Sequence, residues 1–252
     1  NLWTTVHLLK HAKDHEDLKD LRFLSYTAEL MSSRLRVFDS SVGMKLLIGL
    51  TGLFLVLYLL IHIAGNTLFL LGPDIFNQFH ATMTSNPLLP LIEITLLLVF
   101  LLHIYKTVTM YLRNKQARPA MYQMKKPAGA PSRKTLASST MIVTGLWLVA
   151  FLVIHVRAFR FPPHYETADG HLDLYRVELE NLSNPLMVGF YVLSMLIVGS
   201  HLWHGASSAF QSVGLDHPKW TPRLIVAGRI FAVLVAGGFI VLTVMAHLMG
   251  GR

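Results

Sequence analysis

The chain contains no cysteine among its 252 residues. Disulfides, iron–sulfur ligation by this polypeptide and thioether attachment of a prosthetic group are therefore all excluded. Charge is scarce as well. Asp, Glu, Lys and Arg make up 14% of the residues against 53% hydrophobic ones, and the mean hydropathy is +0.49. That is too little charge to coat a soluble globule of this size, so an integral membrane protein is expected. Residues 1–41 lack the apolar stretch of a cleavable leader. They are polar and carry the mixed run His11-Ala12-Lys13-Asp14-His15-Glu16-Asp17, and they read as a cytoplasmic arm that packs on a partner, with a solvated tail as the alternative.

Five apolar windows are present, at residues 44–71, 88–112, 136–159, 186–210 and 224–248. Each can cross a hydrocarbon core of about 30 Å, which takes roughly 20 helical residues. Lipid leaves unpaired backbone groups without a partner, so all five should be helices. The expected fold class is all-α: an arm over 1–41, then an integral membrane bundle of five transmembrane helices over 42–252.

Lysine and arginine set the orientation. The arm through Lys45 carries Lys10, Lys13, Lys19, Arg22, Arg34, Arg36 and Lys45. The second-to-third connection carries Lys106, Arg113, Lys115, Arg118, Lys125, Lys126, Arg133 and Lys134. Residues 72–87 have neither type, and residues 157–185 have only Arg157, Arg160 and Arg176. The N-terminus is thus expected to be cytoplasmic and the C-terminus outside. The net charge of +8 follows from this bias and calls for no nucleic-acid partner.

Four histidines, His62, His103, His155 and His204, lie inside four different windows. An ionisable side chain within a span is costly and marks a functional site by default. Since chain direction alternates, His62 and His155 fall near the outer leaflet and His103 and His204 near the inner one. At 1.5 Å per residue the two levels stand roughly 10 Å apart. Two imidazoles at one depth on facing helices are what bis-histidine ligation of a b-type haem iron requires. Two non-covalent b-type haems are therefore expected, an outer one on His62 and His155 and an inner one on His103 and His204. His201 is the alternative fourth ligand. His204 is preferred because its face continues through Ser200, Ser208 and Gln211 as a polar stripe, beside Gly205. His80 and His247 read as ordinary interfacial or loop residues.

The run His204-Gly205-Ala206-Ser207-Ser208-Ala209-Phe210-Gln211-Ser212-Val213-Gly214-Leu215 resembles the fourth helix of the single-chain dihaem cytochrome b anchors of succinate dehydrogenases and fumarate reductases. Ser40-Ser41-Val42-Gly43-Met44-Lys45, Thr51-Gly52-Leu53 and His62-Ile63-Ala64-Gly65-Asn66 are similar to that family's first helix, and His103-Ile104-Tyr105 to its second. The resemblance covers nearly the whole chain. It implies an anchor in a bacterial plasma membrane, docked by an iron–sulfur subunit and a flavoprotein subunit on its cytoplasmic face. Through such an anchor electrons pass to or from a membrane quinone, with menaquinone favoured, while succinate chemistry belongs to the partners.

Glu93, ten residues and about 15 Å outward of His103, is the candidate for quinone-linked proton exchange. Some fumarate reductases of the family place an essential glutamate at the outer start of the second helix. Here that region reads Asp74-Ile75-Phe76-Asn77-Gln78-Phe79-His80 and has none. Arg157 and Arg160 are candidates for pairing with propionates of the outer haem, and Lys106 and Arg36 for the inner one. Rival readings are the cytochrome b anchor of another quinone-linked enzyme, such as a formate dehydrogenase or hydrogenase, and a histidine-lined metal or proton transporter. A transporter would be expected to add intramembrane carboxylates and an internal repeat; one such carboxylate and no repeat are read here.

Overall fold

A computed structural model describes residue 26 and residues 37–118, 135–163 and 165–250. Its helices, in chain order, are α1 (Ser41–Thr67), a 3-10 turn (Leu68–Leu71), α2 (Pro73–Thr84), α3 (Leu89–Gln116), α4 (Leu136–Ser139), α5 (Met141–Phe159), α6 (Leu174–Ser183), α7 (Pro185–Ser212) and α8 (Thr221–Gly250). Five stretches are long and apolar enough to cross a membrane: α1 with its 3-10 turn, α3, α5, α7 and α8. Their outer faces are apolar, with Leu57, Leu98, Val153 and Leu234 each more than half exposed. Such a surface is stable in lipid and not in water. These features describe a multi-pass membrane protein.

Contacts divide the chain after Leu47. In the first unit the Ser40 hydroxyl accepts from Gly43 N at 3.0 Å and donates to Val37 O, a local cap at the start of α1. The remaining description concerns the second unit, from Ile48 onward. All five spans differ from the windows at one end or both. The third starts at Met141 because Thr135 and Ser138 form a reciprocal capping box that closes the short α4 and leaves Thr140 as a break. α3 runs on to Gln116 and α8 starts at Thr221, since Lys, Arg and Thr near a span end tolerate helix while reaching for water.

Two helices lie in connections where none was expected. Gly72 at φ +102° makes the turn into α2, whose first residue is Pro73, and Asp173 caps α6 by accepting from Arg176 N. Asn77 clamps the two: its Nδ2 donates to Asp173 Oδ1 at 2.8 Å and its Oδ1 accepts from Tyr175 N at 2.9 Å. Both helices turn apolar faces onto a cluster of Phe69, Phe76, Leu182, Tyr191 and Ala246 that closes this end of the bundle.

The spans pack unevenly. α7 and α8 form the closest pair, with small residues in register: a Cβ on Gly199 would meet Ala236 Cβ at 3.0 Å, and one on Gly228 would meet Ser207 N at 3.2 Å. The backbones of α1 and α5 stay apart along nearly their whole length and meet through side chains.

The expected lack of an internal repeat does not hold. Thr51-Gly52-Leu53-Phe54-Leu55-Val56-Leu57-Tyr58-Leu59-Leu60-Ile61-His62 in α1 matches Thr144-Gly145-Leu146-Trp147-Leu148-Val149-Ala150-Phe151-Leu152-Val153-Ile154-His155 in α5 at eight of twelve positions. Ser85-Asn86-Pro87-Leu88, leading into α3, likewise matches Ser183-Asn184-Pro185-Leu186, leading into α7. The two asparagines cap alike, Asn86 Oδ1 accepting from Leu88 N and Asn184 Oδ1 from Leu186 N, both at 2.9 Å. From Asn86 to His103 and from Asn184 to His201 the spacing is the same. The unit span, short helix, Asn-Pro cap, span therefore occurs twice. The five extra residues of the second connection and the ubiquity of leucine obscure it in the linear sequence.

Candidate functional site: two histidine pairs

At one level α1 and α5 bring His62 and His155 together, with ring centroids 5.8 Å apart and planes perpendicular. Each ring is held by the aromatic residue one turn before it. Tyr58 stacks on His62 at 5.3 Å and Phe151 on His155 at 5.4 Å, equivalent positions of the repeat. Tyr191 Oη lies 3.4 Å from His155 Nδ1, and Asn66 Nδ2 lies 3.4 Å from His62 Nδ1.

At the other level His103 of α3 and His201 of α7 are close enough to interact electrostatically. Their supports are again equivalent. Thr51 Oγ1 is 3.0 Å from His103 Nδ1, and Thr144 Oγ1 is 3.0 Å from His201 Nδ1. The adjacent glycines let each ring lie against a helix: a Cβ on Gly52 would meet His103 Cε1 at 3.5 Å, and one on Gly145 would meet His201 Cε1 at 3.6 Å. His204 has no such counterpart; its backbone carbonyl accepts from Ser207 Oγ. All four supported rings are engaged at Nδ1. At His103, His155 and His201 the neighbour of Nδ1 is a hydroxyl oxygen, which can accept that nitrogen's proton and leave Nε2 for a metal; at His62 it is the amide nitrogen of Asn66, a donor.

The charged candidates are arranged differently from what spacing suggested. Glu93 and Arg160 form a two-point ion pair, Nε to Oε1 at 2.8 Å and a second nitrogen to Oε2 at 3.2 Å, with side chains 39% and 56% exposed. Tyr58 feels the charge of Glu93. His80 lies beside Arg160, and burial followed by that positive charge holds its pKa below the usual histidine value. Arg157 donates to the Phe161 carbonyl. Lys106 is buried, with Nζ 5.4 Å from the Tyr105 ring centre. Arg36 and most of the 1–41 arm lie outside the described residues.

Sequence reading missed Thr51, Thr144 and Tyr191 as supports, and the buried Glu178 of α6. The repeat was the signal that would have found the two threonines, since each stands eleven residues before a histidine.

Two observations bear on whether a metal-centred group could be held here. Centroids 5.8 Å apart with perpendicular planes make an edge-to-face contact, close to the separation of two imidazoles that share one metal ion at roughly 2 Å. In addition, Thr107 Oγ1, one turn beyond His103, is a buried side-chain oxygen with no hydrogen-bond partner among the described residues. The class this defines is a duplicated helical membrane protein with paired interior histidines. Searches of known protein families, characterised proteins and solved structures found no match.

Proposed function

We propose that this chain is the membrane anchor and electron-transfer subunit of a succinate:quinone oxidoreductase, holding two b-type haems between a cytoplasmic iron–sulfur and flavoprotein pair and a membrane quinone. The observation that carries the reading is the convergence of interior imidazoles in twos, at two levels, from equivalent positions of a repeated unit. The lysine and arginine bias supports a cytoplasmic N-terminus and an outward C-terminus, with His62 and His155 at the outer level. Lys219, between α7 and α8, and Arg223, in the first turn of α8, add to the same bias.

His62 and His155 would hold the outer haem. For the inner one the geometry favours His103 with His201 over His103 with His204, because His201 alone shares the threonine and glycine support. Bound there, the haems would supply one-electron relay between the two membrane faces. The chain's own part is to orient the rings through Thr51, Thr144, Tyr191 and Asn66, and to exclude water with apolar helices. At the outer level Glu93 exchanges protons with the quinone, its carboxylate held in place by Arg160, beside which His80 lies. Arg160 serves a propionate only if it leaves Glu93. Arg157 and Lys106 remain the propionate candidates at the outer and inner levels. Menaquinone is the quinone the resemblance favours.

Two other readings stand beside this one. The anchor of a formate dehydrogenase or hydrogenase would share the haems and differ in its partners, so subunits that co-purify distinguish it. A transporter would suit the repeat, but it would gather its ligands at one midplane site, whereas these rings gather in twos at two depths. The decisive experiment is a reduced-minus-oxidised spectrum with haem quantification on the purified complex. Two non-covalent b-type haems per chain are expected; one or none refutes the proposal.

A further inference from the structure

Glu178 is the one strongly buried carboxyl that the function above leaves unused. It is 8% exposed, between Val177 and Leu182, which are 0% and 3% exposed. Among the described residues its carboxyl has no hydrogen-bond or ion-pair partner. Its helix packs on α8, α2, α7 and α5, and the polar or titratable groups these present are few. They are Tyr175 on α6 itself, Tyr191 on α7, His155 on α5, His247 on α8, whose Nδ1 is 2.8 Å from Leu182 O, and Asp173 at the cap, bound to Asn77 of α2. Arg157, in the last turn of α5, donates to the Phe161 carbonyl. Arg176, on the exposed face, is paired with Glu180 at 2.8 Å.

α6 packs on α5 and α7, the helices of His155 and Tyr191. Glu178 and Tyr191 are within electrostatic reach of each other, and the Tyr191 hydroxyl is 3.4 Å from His155 Nδ1. The repeat puts Tyr191 at the position of Glu93 and Glu178 at the position of His80. The outer level is thus flanked by two equivalent polar pairs, one of which already carries the proposed proton chemistry.

We propose that Glu178 is a redox-linked proton acceptor of the outer centre, taking up a proton from the outer aqueous side when an electron arrives between His62 and His155 and releasing it when the electron leaves. The inference rests on the two-haem reading. Only the carboxyl O–H bond forms and breaks, one proton accompanies one electron, and the electron is the one the relay already carries. The driving force is electrostatic. An oxidised centre adds positive charge that favours the carboxylate, and reduction removes it. At roughly 10 Å, the spacing of packed helices, with an effective dielectric near 20, one unit of charge changes proton affinity by roughly tenfold. Burial pushes the Glu178 carboxyl up to about 8, so a change of that size moves its occupancy near neutral pH.

The test is a potentiometric titration of both haems in the whole complex across neutral to mildly alkaline pH, with Glu178→Gln and Glu178→Asp beside the unchanged protein. Expected are an outer-haem midpoint that falls with rising pH in the unchanged protein, a flat one in Glu178→Gln, and a retained slope in Glu178→Asp, with the inner haem alike in all three. An outer midpoint independent of pH in the unchanged protein, or an identical slope in Glu178→Gln, overturns the inference while leaving the two-haem reading in place. Absence of the haems refutes both. Redox difference infrared spectra of the unchanged protein give a reading that needs no variant to fold. A protonated-carboxyl C=O band gained on reduction supports the inference, and its absence overturns it.

Discussion

At the scale of single residues, the choice between two neighbouring histidines turns on what holds each ring. Thr144 Oγ1 lies 3.0 Å from His201 Nδ1, matching Thr51 on His103, and a metal-ligating imidazole needs its second nitrogen held as a donor to such an oxygen. His201→Ala is therefore expected to remove the same haem bands as His103→Ala, and His204→Ala to leave both haems in place. Low-temperature difference spectra of the three variants decide it. Glu93 is a different case. Its ion pair with Arg160 is exposed, and exposed pairs contribute at most about 1 kcal/mol. Glu93→Gln should thus barely move thermal stability or either haem spectrum, yet slow quinone-linked turnover severalfold while artificial-acceptor activity persists. Full quinone activity in that variant removes Glu93 from the proton route.

At the scale of helices, the α7–α8 pair is the most closely packed among the described residues and carries His201. Helices in lipid associate by close van der Waals packing of small residues, since lipid tails compete for any larger apolar contact. A side chain at Gly228 would press on Ser207 N at 3.2 Å and Ala206 Cβ at 3.4 Å. Overpacking of that kind costs about 1–3 kcal/mol. Gly228→Leu should lower the detergent melting temperature and deplete the haem bound by His201 before the His62–His155 haem, because α1 and α5 do not share the disturbed seam. Equal loss of both haems would mean that the seam does not position His201 separately. Gly237, where a Cβ would meet nothing within 4 Å, supplies the control: Gly237→Ala should be silent.

At the scale of the whole molecule, orientation is a matter of charge and not of packing. The connection over 72–87 holds no lysine or arginine, whereas the one after α3 is rich in both. The natural absence of cysteine makes this testable with single introduced thiols. Ala168→Cys should react with a membrane-impermeant maleimide on intact cells, and Ala117→Cys only after the membrane is opened. The reverse pattern would invert the topology and move the proposed quinone chemistry to the inner face. With the topology as proposed, electrons crossing between the levels move charge through the membrane field, worth about 2.3 kcal/mol per charge per 100 mV.

Sequence by itself was enough for the five spans, because a run of roughly 20 apolar residues has one stable answer in lipid. It was enough for their charge bias, and for singling out interior histidines as costly residues that need a reason. Tertiary structure decided what depth and face could not. The polar stripe through His204 is real in the sequence, but Thr144 and Gly145, which lie against the His201 ring, stand on another helix, α5. Likewise Glu93 looked free for a quinone until the end of α5 brought Arg160 onto it. Glu178, in a short polar connection, gave no sign of burial until α6 docked against four other helices. Spans are set by local transfer free energy, whereas partners are set by contacts between segments distant in the chain.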